Sequence, residues 1–232
     1  MVFHQRNRNP STDGLGIIVD GQRIERVSNT KFLGVMIDDK LNWKSHIDYI
    51  ATKLSKIIGI FVKVRQYLPK YALRTLYYTF VYPYLMYCNI HWASNYPTNL
   101  TRLEILQKKI VRIITFSPPS SHTAPLFKNL KLLQFENLHE YLICIFMYKY
   151  TMDMLPVVFE GWFTLRSSIH RYNTRQSDSY HLHKFRTNIG KFSLRSQGTK
   201  VWNSVPLQMR TANNLRQFKG LLKHYLLSKQ SE

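Results

Sequence analysis

The sequence predicts a mainly α fold: a helical bundle with a short N-terminal β-hairpin and third strand, and a basic, partly irregular C-terminal region. Three observations predict it. From residue 43 to about 158, apolar residues recur at three- and four-residue steps in successive segments, the spacing that places them on one face of a helix. Ahead of that region, Asp20-Gly21 stands between two short apolar runs, and a turn of this type needs positive φ at its centre. Beyond Phe159 to Gly161 the periodicity fades while Lys and Arg accumulate. The expected divisions are therefore 1–40, 41–158 and 159–232.

Residues 1–14 are polar, with Pro10, Ser11, Asp13 and Gly14 marking a turn. Residues 15–19 and 22–27 form the two arms of the hairpin, and residues 31–37 read as a third strand. Three strands this short need another surface to bury one face against. Asp38 and Asp39 follow. Adjacent carboxylates on a turn can hold Mg²⁺ for phosphoryl or nucleotidyl transfer, but no third carboxylate in this region converges with them. A turn cap at Asp38 or Asp39, with Asn42 capping the next helix, is the simpler expectation.

A helix is expected from Trp43 to about Tyr67. Its broad apolar face includes Ile47, Ile50, Leu54, Ile57, Ile58 and Phe61, and Lys44, Lys53, Lys56, Lys63 and Arg65 occupy much of the remainder. Pro69 opens a second helical segment, which Pro83 should kink or end because proline lacks the N–H of the preceding turn. Tyr77, Tyr78, Tyr82, Tyr84, Tyr87 and Trp92 make this the most aromatic stretch, and their spacing among Leu and Phe favours core packing over base stacking. A third helix is expected over 103–115, capped by Asn99 or Thr101. Lys108, Lys109 and Arg112 lie opposite its apolar side. A short segment at 124–130 precedes a long apolar helix within 132–154, ended by Pro156.

Residues 161–232 carry 13 Lys and Arg against two acids, a net +11. Residues 166–195 read as an extended basic surface rich in Ser, Thr, Asn and His. A short helix is expected over 192–202 and a last one after Asn213 or Asn214, docked through Leu215, Phe218, Leu222 and Leu226 and fraying past Leu227. His170, His181 and His183 lie near no cysteine, and HLH alone is weak evidence of a metal site.

Composition bounds the function. An apolar content of 44 %, with aromatic residues making up 14 % of the chain, over 232 residues fills a real core. The formal charge of +20, from 33 Lys and Arg against 13 Asp and Glu, points to a polyanion partner, because clustered cations on phosphates release counterions. A solvated basic face or an acidic protein partner are the alternatives. Cys88 and Cys144 stand in apolar runs and read as buried thiols, with no disulfide framework or cysteine zinc site. No stretch approaches 18 uncharged apolar residues, and the N-terminus lacks the apolar core of a secretion signal. An intracellular protein is expected, with nucleus and cytoplasm both open. Spacing reveals no Ser/His/Asp or metal-ligand set.

Residues 31–47, KFLGVMIDDKLNWKSHI, resemble the segment that closes the palm in reverse transcriptases of non-long-terminal-repeat (LINE-like, jockey-type) retrotransposons. Further downstream, LRTLYYTFVYPYLMYCNIHW resembles a helix of that family, here with Tyr77, Pro83, Leu85, Tyr87 and Trp92. LTRLEILQKKIVRII, RYNTRQ, SLRSQGTKVWNSVP and NLRQFKGLLKHYL resemble the elements that follow it. The resemblance spans about residues 20–228.

It implies that Phe32, Leu33, Gly34 and Val35 form a primer grip, that Leu41, Trp43, His46 and Ile47 begin a thumb-like helical domain, and that 1–40 is the remnant of a palm. Gly34 would permit a close backbone approach, and Phe32 and Leu33 would anchor the turn in the core. The family's metal-binding aspartates stand upstream of the grip, so neither Asp38 nor Asp39 takes their role. The chain is expected to have no catalytic residue, metal site or cofactor of its own, any Mg²⁺ belonging to the palm, and to make no DNA alone. The implied partners are an RNA/DNA primer–template and the remainder of a polymerase. The cations expected to contact nucleic acid are Lys44 and Lys53, then Lys108, Lys109 and Arg112, then Arg171, Arg175, Lys184, Arg186, Lys191 and Arg195. The alternative is a non-catalytic nucleic-acid-binding or protein-docking module.

Overall fold

The structure is a computed structural model that describes residues 1–4, 16–169 and 178–230. It is a mainly α-helical bundle preceded by two separate β-hairpins. In the first, β1 (Ile18–Val19) pairs antiparallel with β2 (Gln22–Arg23) across Asp20 and Gly21, whose φ of 49° and 76° make the expected turn. The second corrects the expected third strand. Residues 31–37 do not run straight, because β3 (Asn29–Phe32) folds back onto β4 (Val35–Asp38) with Phe32 opposite Val35. Leu33 and Gly34 occupy the turn at φ 46° and 85°. A continuous run of apolar residues concealed that turn, since only its single glycine marks it. Of the four strands only β4 has buried residues, and it packs on the first helix.

That helix, α1 (Lys44–Val64), buries Ile47, Ile50, Ala51, Leu54, Ile57, Ile58 and Phe61 along the predicted face. It runs beside α5 (Pro97–Ile114) in the same direction. Arg102 of α5 pairs with Asp48 at 3.2 Å near the start of α1, and the Arg65 guanidinium lies 5.0 Å from the Phe116 ring where both helices have ended. The start of α5 is six residues earlier than Leu103, because Pro97 at the first helical position is a start signal. Asn99 and Thr101 therefore lie inside the helix and neither caps it; Tyr96 is the N-cap residue, with no side-chain cap bond.

Between these helices in sequence, α2 (Lys70–Leu76), a π-helical turn (Tyr77–Val81) and α3 (Tyr82–Met86) follow one another without a break. Pro83 does not end the helical run there, and the irregularity falls just ahead of the proline, where Val81 has φ −100°. The wider turn shifts bonding so that the Tyr82 N–H reaches the Tyr77 carbonyl, and the proline falls in the first turn of the next segment, where no N–H is required. After Cys88, at φ 50°, comes α4 (Asn89–Trp92). Tyr77 and Trp92 are fully buried, as the aromatic spacing implies. Buried Gln107 of α5 donates to the Tyr77 hydroxyl at 2.8 Å and to the Leu133 carbonyl at 3.0 Å.

The second half completes the same core. It comprises α6 (Ala124–Leu130), α7 (Phe135–Thr151), α8 (Asn188–Phe192), α9 (Leu194–Ser204), α10 (Leu207–Arg210) and α11 (Leu215–Lys229). The expected helix over 192–202 is α9, which Ser193 caps, and α8, capped by Thr187, is a further short helix ahead of it. α9 approaches α7 so closely that a Cβ on Gly198 would sit 2.9 Å from Met147 Sδ. Tyr148 of α7 stacks on Phe218 of α11 at 4.3 Å. α11 continues past Leu227 to Lys229. The Gln230 side chain accepts from the Gln134 N–H at 3.2 Å and donates to the Leu132 carbonyl at 3.0 Å, while Lys229 pairs with Glu140 at 3.1 Å. One apolar cluster runs from Ile47 of α1 to Leu226 of α11. No described helix is long and apolar enough to cross a membrane.

Candidate nucleic-acid interface

The hairpin β3–β4 is fixed to the body at several points. Val35 is its buried anchor, and the Met36 N–H donates to His46 Nδ1 at 3.3 Å. Nζ of Lys31 and of Lys53 lie 5.6 and 5.4 Å from the Tyr49 ring centroid, so a strand lysine and a helix lysine converge on one aromatic. The Tyr87 hydroxyl donates to the Leu33 carbonyl at 2.6 Å. The expectation that Phe32 and Leu33 anchor the turn in the core is corrected, since they are 61 % and 74 % exposed and form the tip. Gly34 is there for its φ of 85°. A Cβ would come no nearer than 3.6 Å to Tyr87 Cε1, an ordinary contact.

Asp38 is structural. Its buried carboxylate accepts from the N–H groups of Lys40 (3.1 Å), Asn42 (3.0 Å) and Trp43 (2.8 Å), organising the link from β4 to α1. Asn42 Oδ1 accepts from the Lys44 N–H at 2.9 Å, and His4 Nε2 lies 3.4 Å from Asp39 Oδ2. Among the described residues no group of three or more His, Cys, Asp or Glu side chains is placed to hold a metal ion.

The predicted cations fall into separate places. Lys44 is exposed at the start of α1, and half-buried Lys53 joins Lys31 at Tyr49. Lys108, Lys109 and Arg112 lie toward the other end of the bundle, with Arg112 Nε donating to the Ser121 carbonyl at 3.0 Å. In the basic region, Asn188 donates to the Tyr96 hydroxyl at 2.6 Å and Phe192 meets Tyr96 edge-on at 4.9 Å, docking α8 and Lys191 at the start of α5. From Pro97 to Arg112 is about 22 Å of helix rise, so the cations of α5 and of α8 are not one patch. Lys184 and Arg186 are exposed. Arg195 Nε is committed to the Trp162 carbonyl at 3.0 Å, its guanidinium lying over the Trp162 ring. Arg171 and Arg175 lie outside the described residues.

Two features escaped the sequence reading. The first is that residues 49–135 hold 12 Lys and Arg and a single acid, Glu104, for the same net +11 as the tail. Residues 136–160 reverse this, with Glu136, Glu140, Asp153 and Glu160 against Lys149. A running charge count would have found both. Two of these acids, Asp153 and Glu160, line a cleft of about 560 Å³ with Tyr150, Phe159, Phe163 and Tyr180, a lining that disfavours a polyanion.

The second is a hydrogen-bonded chain of Ser94, His139 and Asn89. His139 Nδ1 donates to Asn89 Oδ1 at 2.6 Å, and its Nε2 accepts from Ser94 Oγ at 3.0 Å. This is the connectivity of a nucleophile, base and orienting group. Burial, however, pushes the imidazole down to about 4, and Asn89 and Ser94 are only 1 % and 7 % exposed, so no substrate reaches the hydroxyl. The three side chains tie α4 to α7 instead.

No protein-family model, no curated protein and no solved structure matches this chain.

Proposed function

We propose that the chain grips primer–template nucleic acid as the primer-grip and thumb portion of a reverse transcriptase of the LINE-like retrotransposon type, itself performing no chemistry. The observation that carries this is the fastened hairpin. Phe32 and Leu33 are presented outward while Val35, His46 and Tyr87 hold the turn to the bundle, and Lys31, Lys44 and Lys53 stand beside it on α1 and β3. A rigid apolar tip flanked by cations suits a backbone-tracking contact in which phosphates position the strand and base identity is not read. The test is binding to an RNA:DNA hybrid at several salt concentrations. Substituting Lys31 and Lys53 with alanine should weaken it and make it less salt-dependent.

A second reading, protein docking by the N-terminal region, is favoured by its uncovered apolar side chains. Ile17, Ile18, Val19 and Ile24 are all exposed on or beside the first hairpin, matching the bare surface a missing neighbour would leave. Amides of residues 17–27 exchanging as slowly as those of α1 would argue against it.

A further inference from the structure

Away from the hairpin, at the end where α1 and α5 both terminate, lies a surface of different character. Tyr67 and Tyr71 are each 77 % exposed, and no large apolar or aromatic side chain among the described residues is more so. Single exposed aromatics are ordinary on protein surfaces, but these two flank a built turn. The N–H groups of Tyr67 and Leu68 both donate to the Val64 carbonyl at 3.0 and 3.1 Å, and Leu68 packs against the core. Pro69 then starts α2, whose Leu73 is fully buried. The backbone carrying both rings is thereby fixed before any ligand arrives.

A third aromatic joins them from α5. Phe116 is exposed, and the Arg65 guanidinium lying over it draws the ends of the two helices together. Lys63 and Lys70 are exposed on the same turn and its approach. No acid occurs between Asp48 and Glu104 or between Glu104 and Glu136, so no acidic side chain stands at either helix end. Exposed rings on a rigid turn, interleaved with cations, are the composition that binds unpaired bases: every base has a face to stack, and the cations hold the backbone. An acidic peptide would satisfy the cations but leave the rings without stacking partners.

We propose that Tyr67, Tyr71 and Phe116, with Lys63, Arg65 and Lys70, form a binding site for single-stranded nucleic acid, about 24 Å along α1 from the hairpin. The proposal rests on the nucleic-acid reading of the chain and adds a second contact for an unpaired strand.

The test compares fluorescence anisotropy of labelled oligo(U), oligo(dT) and an RNA:DNA hybrid with the whole chain and with the double variants Tyr67→Ala/Tyr71→Ala and Tyr67→Phe/Tyr71→Phe. Both rings are exposed, so melting temperatures should match wild type. The alanine pair should lose about tenfold or more in affinity for the single strands and keep its affinity for the hybrid, whose bases are paired, while the phenylalanine pair keeps both. Unchanged single-strand affinity in the alanine pair, or equal loss for strand and hybrid, would overturn this site and leave the grip standing. Tyrosine-dependent binding of polyglutamate would overturn it in favour of an acidic protein partner. A wild-type chain that binds neither strand nor hybrid would overturn the nucleic-acid reading itself.

Discussion

The Tyr87 hydroxyl donates a 2.6 Å hydrogen bond to the Leu33 carbonyl, joining the residue that follows α3 to the tip of a hairpin 54 positions earlier. The same residue is fixed in turn, because its carbonyl accepts from Trp92 Nε1–H at 2.8 Å and the Trp92 ring is fully buried. The tip is thus referenced to the core through two bonds.

Removing that hydroxyl should loosen the tip without unfolding the bundle. Tyr87→Phe is expected to raise amide exchange at Lys31 to Val35 by about tenfold, leave exchange in α1 and α5 unchanged, and weaken hybrid binding. Equal protection of the hairpin in wild type and variant would show that Val35 and His46 suffice.

Gly34→Ala probes the turn itself. The position has space for a methyl group but a φ of 85°, so the expected effect is backbone strain of about 1–2 kcal/mol, read as local opening of β3–β4 by hydrogen exchange. Gly34→Asn, which tolerates the left-handed region better, should lose less.

Asp38→Ala strands three N–H groups at the entry to α1 and should destabilise the chain by about 2–3 kcal/mol in urea unfolding, with Asp38→Asn between it and wild type. Added Mg²⁺ should not change the wild-type midpoint. A Mg²⁺-dependent rise abolished in Asp38→Asn would restore a metal role to this acid.

How far these features were legible in the sequence depended on the range of the interaction. The buried face of α1, the first hairpin, a cap of α11 at Asn213 or Asn214 and a turn cap at Asp38 or Asp39 follow from local spacing and turn chemistry, and the structure selects Asn214 and Asp38. The turn at Leu33 and Gly34 was hidden because a leucine takes φ 46° there, which its own propensity disfavours and the bonds from Tyr87 and His46 support. The π-helical turn before Pro83 has no signature beyond the proline. Contacts between distant residues, such as Asn89 with His139 or Gln230 with Gln134, depend on packing that no local window contains. Of the cations on α1 and α5, Lys44 and Lys109 are exposed and Lys53, Lys108 and Arg112 half-buried, and the order in which helices return decides which of them meet.

Lowering the pH should expose the cost of burying His139. Its folded value, about 4, lies below the ordinary 6.5, so the unfolded chain binds the proton more readily between the two. The related stability is complete above about pH 7.5, declines as the pH falls from 6.5 to 4, and is level below that, a loss on the order of 3 kcal/mol. His46, also lowered by burial, acts in the same direction. Urea midpoints at pH 7.5 and 4.5 should therefore differ, and His139→Gln should flatten the difference. Equal midpoints in wild type would mean the imidazole is protonated in place.

The most direct test of nucleic-acid gripping is the slope of log affinity against log salt for an RNA:DNA hybrid with the whole chain. Submicromolar binding at low salt, falling with a slope of about −3 or steeper and moderated by Lys31→Ala/Lys53→Ala, is the predicted result. Binding that is absent at low salt, or that does not change with salt, would contradict it.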